Sequence, residues 1–150
     1  MPIKKIVKEI GKNIISSKWV YRKKSEPDGS ICYKSRIVLN GFMQIPGIDY
    51  TECFSPVATD TTTHLILALT LLFDWACESA DIKAAFLEGD ATTDMFMEWP
   101  PGLVELGIID EATKLRLCIK LVKSIYGNVD AALCFYMTYA KYLLARLNII

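Results

Sequence analysis

Lys34 and Arg36 stand two residues apart in a stretch with strand character, Ile31 to Asn40. Because alternate residues of a strand point to the same side, the two cations should share one face. They belong to a basic part of the chain: residues 1–47 contain ten Lys or Arg and three Asp or Glu, whereas residues 48–150 contain seven and fourteen. This division predicts a polyanionic partner for the first part, with a solvated charged face as the plainer alternative.

Asp81 is the carboxylate on which metal chemistry could depend. It lies at the end of Trp75 to Ile82, a stretch that is a plausible β-strand, and the acidic remainder of the chain leaves cation binding open. Carboxylate oxygens are ligands that Mg²⁺ prefers. A turn or a helix cap is the alternative role for an Asp after a strand, so Asp81 alone does not decide between the two.

The composition disfavours several other classes of site. The five cysteines are odd in number and none lies within a few residues of another, which fits reduced thiols better than a disulfide framework or a zinc ribbon. His64 is the only histidine, so a histidine-based metal site or a Ser-His-Asp triad would depend on that one residue. No apolar run is long enough to cross a bilayer, and the basic start lacks the apolar core of a signal peptide. We therefore expect an intracellular protein with no membrane partner.

A basic β-hairpin is the clearest element in the first third of the chain. Its strands are expected at Lys18–Lys23 and Ile31–Asn40, and the turn between them contains Pro27, Asp28 and Gly29. Residues 41–59 are expected to be mostly loop.

The rest of the chain predicts alternating helices and strands. Asp60 or Thr61 could cap a helix that runs to about Phe73 and that, being apolar nearly all round, should be buried. Strands are expected at 75–82, 94–98 and 115–121, and an amphipathic helix at about 129–147. The antiparallel hairpin beside these elements predicts the α+β class.

Four groups of short motifs carry a family resemblance. They are Lys18–Tyr21 with Asp28–Ser30, Tyr33–Val38 and Gly41–Phe42; Gly47–Tyr50 with Phe54–Val57; Asp81–Asp90 with Met97–Glu98 and Pro100–Gly102; and Lys120–Leu121 with Lys123–Gly127. Each motif is weak alone, but their order and spacing across residues 18–127 are specific. Together they resemble the reverse transcriptase of copia-type LTR retrotransposons, a transposable-element enzyme that lies inside a Pol polyprotein.

The resemblance implies a polymerase of right-hand shape, of which this chain would be the fingers and part of the palm. The hairpin would belong to the fingers, whereas the strand ending at Asp81 and the helix at 129–147 would belong to the palm. Residues 1–150 would then form a single partial reverse transcriptase domain, truncated at both ends.

The same resemblance implies an activity, RNA-directed DNA polymerisation by nucleotidyl transfer. The 3′-hydroxyl of a primer attacks the α-phosphate of a dNTP, and two Mg²⁺ ions activate the nucleophile and stabilise the leaving group. The implied partners are an RNA template, a DNA primer, dNTP and the remainder of the Pol polyprotein, with the rest of the palm, the thumb and ribonuclease H. The implied location is cytoplasmic, in a virus-like particle, or nuclear.

Residue roles follow from the same resemblance. Asp81 would be the first of three metal-binding catalytic aspartates, and the backbone carbonyl of Ile82 could add a ligand. Lys34 and Arg36 would grip the incoming triphosphate. Phe86 would lie under the sugar and exclude a 2′-hydroxyl, and the backbone around Ala85 would contact the triphosphate or the 3′-hydroxyl.

Two departures from the family pattern limit this expectation. The other two catalytic aspartates form an adjacent pair in the family, and no Asp-Asp pair occurs in this sequence. Asp130 stands where the family has a Gln that helps to position the nucleotide, and an anion there would repel a triphosphate. We therefore expect the chain alone to be inactive. The Tyr126-Gly127 pair is interpreted as structural, with Gly127 in a backbone conformation closed to other residues.

Three other functions remain open on sequence alone. The chain could be a non-catalytic nucleic-acid-binding module that uses its basic first third, which salt-dependent binding to an RNA–DNA hybrid would support. It could be a degenerate relic without function, whose last helix exposes an apolar face and aggregates. A stand-alone Mg²⁺-dependent phosphotransferase centred on Asp81 ranks last, because the sequence lacks a Gly-rich phosphate loop.

Overall fold

The computed structural model describes residues 3–8 and 11–147. Residues 1–2 and 148–150, which are the two ends of the predicted domain, and residues 9–10 lie outside the described part. Within that part the chain is a mixture of α and β elements, as the sequence predicted.

The hairpin is confirmed. Strand β3 (Ser17–Ser25) and strand β4 (Ile31–Leu39) pair antiparallel along their whole lengths. The turn between them closes because the side chain of Asp28 accepts a hydrogen bond of 2.9 Å from the backbone nitrogen of Ser30. Gly29 takes a φ of +81° there, a conformation that favours glycine.

A four-stranded sheet forms the second β unit, with strand order β1-β6-β5-β2. Its strands are β1 (Ile3–Val7), β2 (Ile14–Ile15), β5 (Asp90–Met97) and β6 (Leu117–Lys123). Strands β5 and β6 confirm the predictions at 94–98 and 115–121. β5 begins at Asp90, earlier than predicted. Residues 115 and 116, which were predicted to begin the next strand, belong instead to the short helix α2 (Glu111–Arg116). The buried core lies between this sheet and the base of the hairpin; it comprises Ile15, Leu39, Met95, Met97, Ile119 and Leu121.

The two longer helices have different environments. Helix α3 (Ala131–Leu147) confirms the amphipathic helix, with Ala131 and Cys134 buried and the C-terminal half largely exposed. Helix α1 (Asp60–Leu72) also forms, with the hydroxyl of Thr59 as its N-cap in place of the predicted Asp60 or Thr61. Its predicted burial is wrong, since α1 has no buried residue. An N-cap and an apolar sequence indicate where a helix begins and that it favours burial, but burial itself requires another element that packs against the helix.

The predicted strand at Trp75 to Ile82 is also wrong. This segment has no regular structure, and no described strand pairs with it. A strand needs backbone partners, which composition alone cannot supply. Asp81 therefore lies in an extended loop rather than at the end of a strand. None of the helices in residues 3–8 and 11–147 is both long and apolar enough to span a membrane.

Candidate functional site

The register of the hairpin gives it two chemically different faces. Arg22 lies opposite Lys34, and Val20 lies opposite Arg36. Residues directly opposite each other in an antiparallel pair share a face, as do alternate residues of one strand. Lys34 and Arg36 therefore lie on one side, as predicted. We call this side the basic face; its charged members are Lys18, Arg22, Lys24, Lys34 and Arg36.

Arg36 contacts Tyr126, a residue outside the hairpin. Its guanidinium carbon lies 5.4 Å from the centroid of the Tyr126 ring, a cation–π distance. The Tyr126 ring also contacts Phe86, whose ring meets it edge to face with centroids 6.2 Å apart. Two residues that the sequence assigned to the nucleotide site, Arg36 and Phe86, are thus connected by a third that it did not assign.

The turn that carries Phe86 is fixed by Ser124, the residue that follows strand β6. Ala84 adopts a left-handed conformation with φ 56°, and the chain then forms a single 3₁₀ turn, Ala85–Leu87. The hydroxyl of Ser124, which is fully buried, donates a hydrogen bond to the carbonyl of Phe86. The backbone nitrogen of Ser124 donates to the carbonyl of Gly89 at 2.8 Å. The backbone of Ala85 is therefore held in place, while Phe86 stays 39% exposed.

Asp81 and Ile82 lie in the loop just before this turn. Both are exposed, and the Asp81 carboxylate makes no hydrogen bond or ion pair with another described residue. Ile82 lines an open cleft of about 430 Å³ beside α3, together with Lys123 and Phe135. The carboxylate of Glu88 at this cleft is engaged by the Lys123 ammonium at 2.7 Å, and this hydrogen bond raises the pKa of Lys123.

The described residues do not bring together a set of side chains that could hold a metal ion. No group of three or more His, Cys, Asp or Glu in residues 3–8 and 11–147 stands close enough to hold a metal ion. Asp81 and the carbonyl of Ile82 would contribute at most three oxygen ligands, two of them from the carboxylate, whereas octahedral Mg²⁺ takes six. The donor set of this chain therefore does not fit a pair of Mg²⁺ ions by itself.

Gly127 joins the site to the base of the hairpin. Its φ is +93°, as the sequence interpretation of this glycine expected. A Cβ at this position would overlap the backbone carbonyl of Leu39 and lie 2.8 Å from a methyl group of Val38. The backbone nitrogen of Leu39 donates to the carbonyl of Tyr126 at 2.7 Å. Tyr126 and Gly127 therefore connect β4 with the segment that precedes α3.

Asp130 was expected to face the bound nucleotide, but in the structure its side chain faces the protein interior. Its side chain is fully buried, and its carboxylate accepts hydrogen bonds from Thr92 at 3.1 Å and from the Cys134 thiol at 3.4 Å. The expected repulsion of a triphosphate by Asp130 is wrong for this geometry, because the carboxylate faces the interior. Burial, aided by the charge of Asp130, raises the pKa of Cys134 to about 11.

Tyr126 is the residue whose contribution sequence reasoning missed. The motif that contains it was noticed, but the Tyr-Gly pair was assigned a structural role only. A signal was present in the residue type, because a tyrosine ring can contact both a cation and another aromatic ring. What the sequence lacks is the information that β4 and the turn at Ala85–Leu87 both contact this ring.

Comparison with known proteins gives the family. Residues 4–149 match the model of the family described as reverse transcriptase (RNA-dependent DNA polymerase). The retrovirus-related Pol polyproteins of transposons RE1 and RE2 from Arabidopsis thaliana are each 36% identical over 132 residues, which is 87% of this chain and 9% of the relative. That of transposon TNT 1-94 from Nicotiana tabacum is 37% identical over 134 residues, 89% of this chain and 10% of the relative.

The chain thus spans about a tenth of the length of these curated relatives. No solved structure gives a significant match. The match of the family model over nearly the whole chain, and the identity to three Pol polyproteins, agree with the motifs at residues 18–127. The chain therefore belongs to the reverse transcriptase (RNA-dependent DNA polymerase) family, in the form carried by the Pol polyproteins of copia-type retrotransposons.

Proposed function

We propose that this chain supplies the fingers and the first part of the palm of an RNA-directed DNA polymerase, within a partial right-hand domain. The observation that carries this proposal is the contact series from Arg36 through Tyr126 to Phe86. It brings a cation of the basic face and the candidate sugar-contacting aromatic into contact with the same ring. A nucleoside triphosphate needs such an arrangement, because its phosphates and its sugar must be held together.

Each site residue then has a task in binding the nucleotide. Arg36 would hold phosphate oxygens through two parallel N–H donors, and Lys34 would act as a point charge. The ring of Phe86 would lie under the sugar and leave no room for a 2′-hydroxyl. The fixed backbone at Ala85 would donate to the triphosphate or to the 3′-hydroxyl.

The metal chemistry of the complete enzyme would depend on residues outside this sequence. Bound Mg²⁺ would activate the primer hydroxyl and stabilise the leaving pyrophosphate. Asp81 and the carbonyl of Ile82 would be the contribution of this chain to the ligand set. The remaining palm aspartates, the thumb and ribonuclease H would come from the rest of a Pol polyprotein. Its location would be a virus-like particle in the cytoplasm, or the nucleus.

A primer-extension assay with the full chain tests the proposal. The template is RNA with an annealed DNA primer, supplied with dNTPs and Mg²⁺. We expect no extension, because one aspartate cannot hold two metal ions, together with binding of the RNA–DNA hybrid that weakens steeply as salt rises. Robust extension would contradict the incomplete metal site. Hybrid binding that is absent at low salt would contradict the nucleic-acid role itself.

A second candidate is a binding module that never takes part in catalysis. It is favoured by the exposure of Asp81, whose carboxylate makes no hydrogen bond or ion pair with another described residue. The two candidates differ in nucleotide binding. A module of this kind would bind hybrid through the basic face but would not distinguish dNTP from rNTP.

A further inference from the structure

A partly open cavity lies where the base of the hairpin meets the four-stranded sheet. Its volume is about 470 Å³, which is within the range of small-molecule sites. The sheet contributes residues of the buried core to its lining, and Ile37 of β4 and Leu87 of the turn at residues 85–87 also line it. We call this space the base cavity; its walls include Trp19, Met97, Trp99, Ile119, Leu121 and Tyr126.

The two tryptophans of the base cavity present carbon to it rather than hydrogen-bonding groups. Both indole N–H groups donate to backbone carbonyls, Trp19 to that of Pro101 at 2.8 Å and Trp99 to that of Leu117 at 2.9 Å. The same hydrogen bonds hold the two rings in place. A ligand of this cavity must have an apolar body, because a polar one would lose its hydrogen bonds with water without replacement.

The aromatic residues in the walls favour a flat ligand. Trp19, Trp99 and Tyr126 are each only partly buried, so a molecule in the cavity can contact them. Aromatic rings associate in offset-stacked or edge-to-face arrangements. If each heavy atom takes roughly the 30 Å³ that one water molecule occupies in the liquid, the cavity holds about 15 heavy atoms. A compound of two fused rings with one small substituent has this size.

The charge at the base cavity favours an anionic substituent. Among the described residues that line it, Arg36 is the one with a charged side chain. Its guanidinium lies beside the Tyr126 ring and makes no ion pair with another described residue. A second cation is close, since the ammonium of Lys5 lies 5.6 Å from the centroid of the Trp99 ring. An arginine fork can bind a carboxylate through two parallel hydrogen bonds.

We propose that the base cavity binds a planar aromatic carboxylate, whose rings lie among Trp19, Trp99 and Tyr126 and whose carboxylate is held by Arg36. The cavity differs from the proposed nucleotide site in its apolar walls but shares Arg36 with it. This inference rests on the proposed function in one respect only: a bound carboxylate should compete with a nucleoside triphosphate for that arginine.

Nuclear magnetic resonance of the full chain tests where the ligand binds. The probes are 2-naphthoate and 2-naphthamide, which share shape and size and differ in charge. The chain contains three tryptophans, whose indole N–H signals can be compared in one spectrum. We expect 2-naphthoate to shift the signals of Trp19 and Trp99 in a saturable manner and to leave that of Trp75, which does not line the cavity, unchanged. Equal shifts of all three signals, or no shift of any, would overturn the proposal.

The affinities of the two probes, measured by calorimetry, test the part played by charge. The wild type should bind 2-naphthoate about three- to tenfold more tightly than 2-naphthamide, a modest factor because solvent screens an exposed arginine. Arg36→Gln should abolish this preference. The matched control Lys23→Gln removes the same charge from a residue that does not line the cavity, and it should keep the preference. Equal affinities of both probes for the wild type would contradict the role of Arg36, as would an equal loss of preference in both variants.

Filling the cavity tests the apolar part of the site. Leu103 lines it and is partly buried, whereas Leu106 of the same loop is 73% exposed and does not line it. Leu103→Trp should weaken binding of 2-naphthoate about tenfold or more, because the larger side chain occupies the space of the ligand. Leu106→Trp should leave the affinity unchanged. Normal binding by Leu103→Trp would overturn the proposal; if thermal unfolding shows that this variant does not fold, Leu103→Phe takes its place.

Failure of this inference can be distinguished from failure of the proposed function. Added 2-naphthoate should weaken the binding of a fluorescent dNTP to the wild type, and 2-naphthamide should weaken it less. If saturating 2-naphthoate leaves dNTP binding unchanged, the carboxylate does not engage Arg36 and this inference is wrong, whereas the proposed function is unaffected. If the wild type binds no dNTP, the proposed function is wrong, and the signals of Trp19 and Trp99 still decide whether the cavity is a binding site.

Discussion

The guanidinium carbon of Arg36 lies 5.4 Å from the centroid of the Tyr126 ring, at the place where the hairpin meets the four-stranded sheet. Phe86 contacts the same ring from another side, edge to face. The sequence motifs that contain these three residues are far apart along the chain. Their contact is the structural reason for treating Arg36 and Phe86 as parts of one site, and Tyr126 as the residue that positions them.

Replacement of Tyr126 tests this arrangement. Tyr126→Leu removes both the aromatic pair and the cation–π contact, so we expect the free energy of unfolding to fall by about 1–2 kcal/mol. Tyr126→Phe keeps both ring contacts and should stay within about 0.5 kcal/mol of the wild type. Urea denaturation followed by circular dichroism measures both variants. Equal stability of the leucine and phenylalanine variants would show that the ring contacts contribute nothing.

Gly127 should tolerate substitution less than any glycine whose surroundings are open. Gly127→Ala combines a strained φ of +93° with overlap between the new Cβ and the Leu39 carbonyl, and we expect a loss of at least about 3 kcal/mol. Gly29→Ala is the matched control: its φ is +81°, but no atom lies within 4 Å of the added Cβ. It should cost only about 1–2 kcal/mol. Thermal unfolding compares the two, and similar losses would refute the close approach at Leu39.

The Cys134 thiol should be unreactive in the folded chain and should make stability fall at high pH. Its pKa is about 11 in the folded state against an ordinary value of 9.0, because burial disfavours the thiolate. Between these two values the unfolded state binds fewer protons than the folded state, so stability decreases as pH rises from about 9 to 11. The exposed Cys53 and Cys77 should react with a thiol reagent at once, and Cys134 only after denaturation.

Two variants isolate the contribution of this thiol. Cys134→Ala should lose the part of the alkaline decrease that the thiol causes. Asp130→Asn should lower the pKa of Cys134, because the carboxylate charge is one of the causes that raise it. Rapid labelling of Cys134 in the native wild-type chain would contradict its burial.

The parts of the fold that could be predicted are those determined by residues close together in the sequence. The turn at Asp28 and Gly29 fixes the hairpin, and periodic apolar residues determine α3. Strand β1 could not be predicted, because it exists through pairing with β6 more than a hundred residues later in the chain. For the same reason the strand predicted at Trp75 to Ile82 is absent: its composition suits a strand, but no described strand pairs with it.

In the candidate site, too, local features could be predicted from the sequence and long-range packing could not. The shared face of Lys34 and Arg36 follows from the two-residue period of a strand. The burial of Asp130 could not be predicted, since a carboxylate at the start of a helix is normally a solvated cap, and only the packing of Thr92 and Cys134 around it makes it internal. The exposure of α1 could not be predicted either. Its apolar sequence favours burial, but it does not specify which element, if any, packs against the helix.

The basic face of the hairpin is the surface that we expect to bind a nucleoside triphosphate, whereas Lys23 projects from the opposite face. The most direct measurement is the affinity of the full chain for a fluorescent dNTP with Mg²⁺, compared among Lys34→Gln, Arg36→Gln and the matched control Lys23→Gln. Each of the first two should weaken binding by about tenfold or more, because each removes charge-assisted hydrogen bonds to phosphate. Lys23→Gln should change it by less than about twofold. An equal effect of all three substitutions, or no nucleotide binding by the wild type, would contradict the claim.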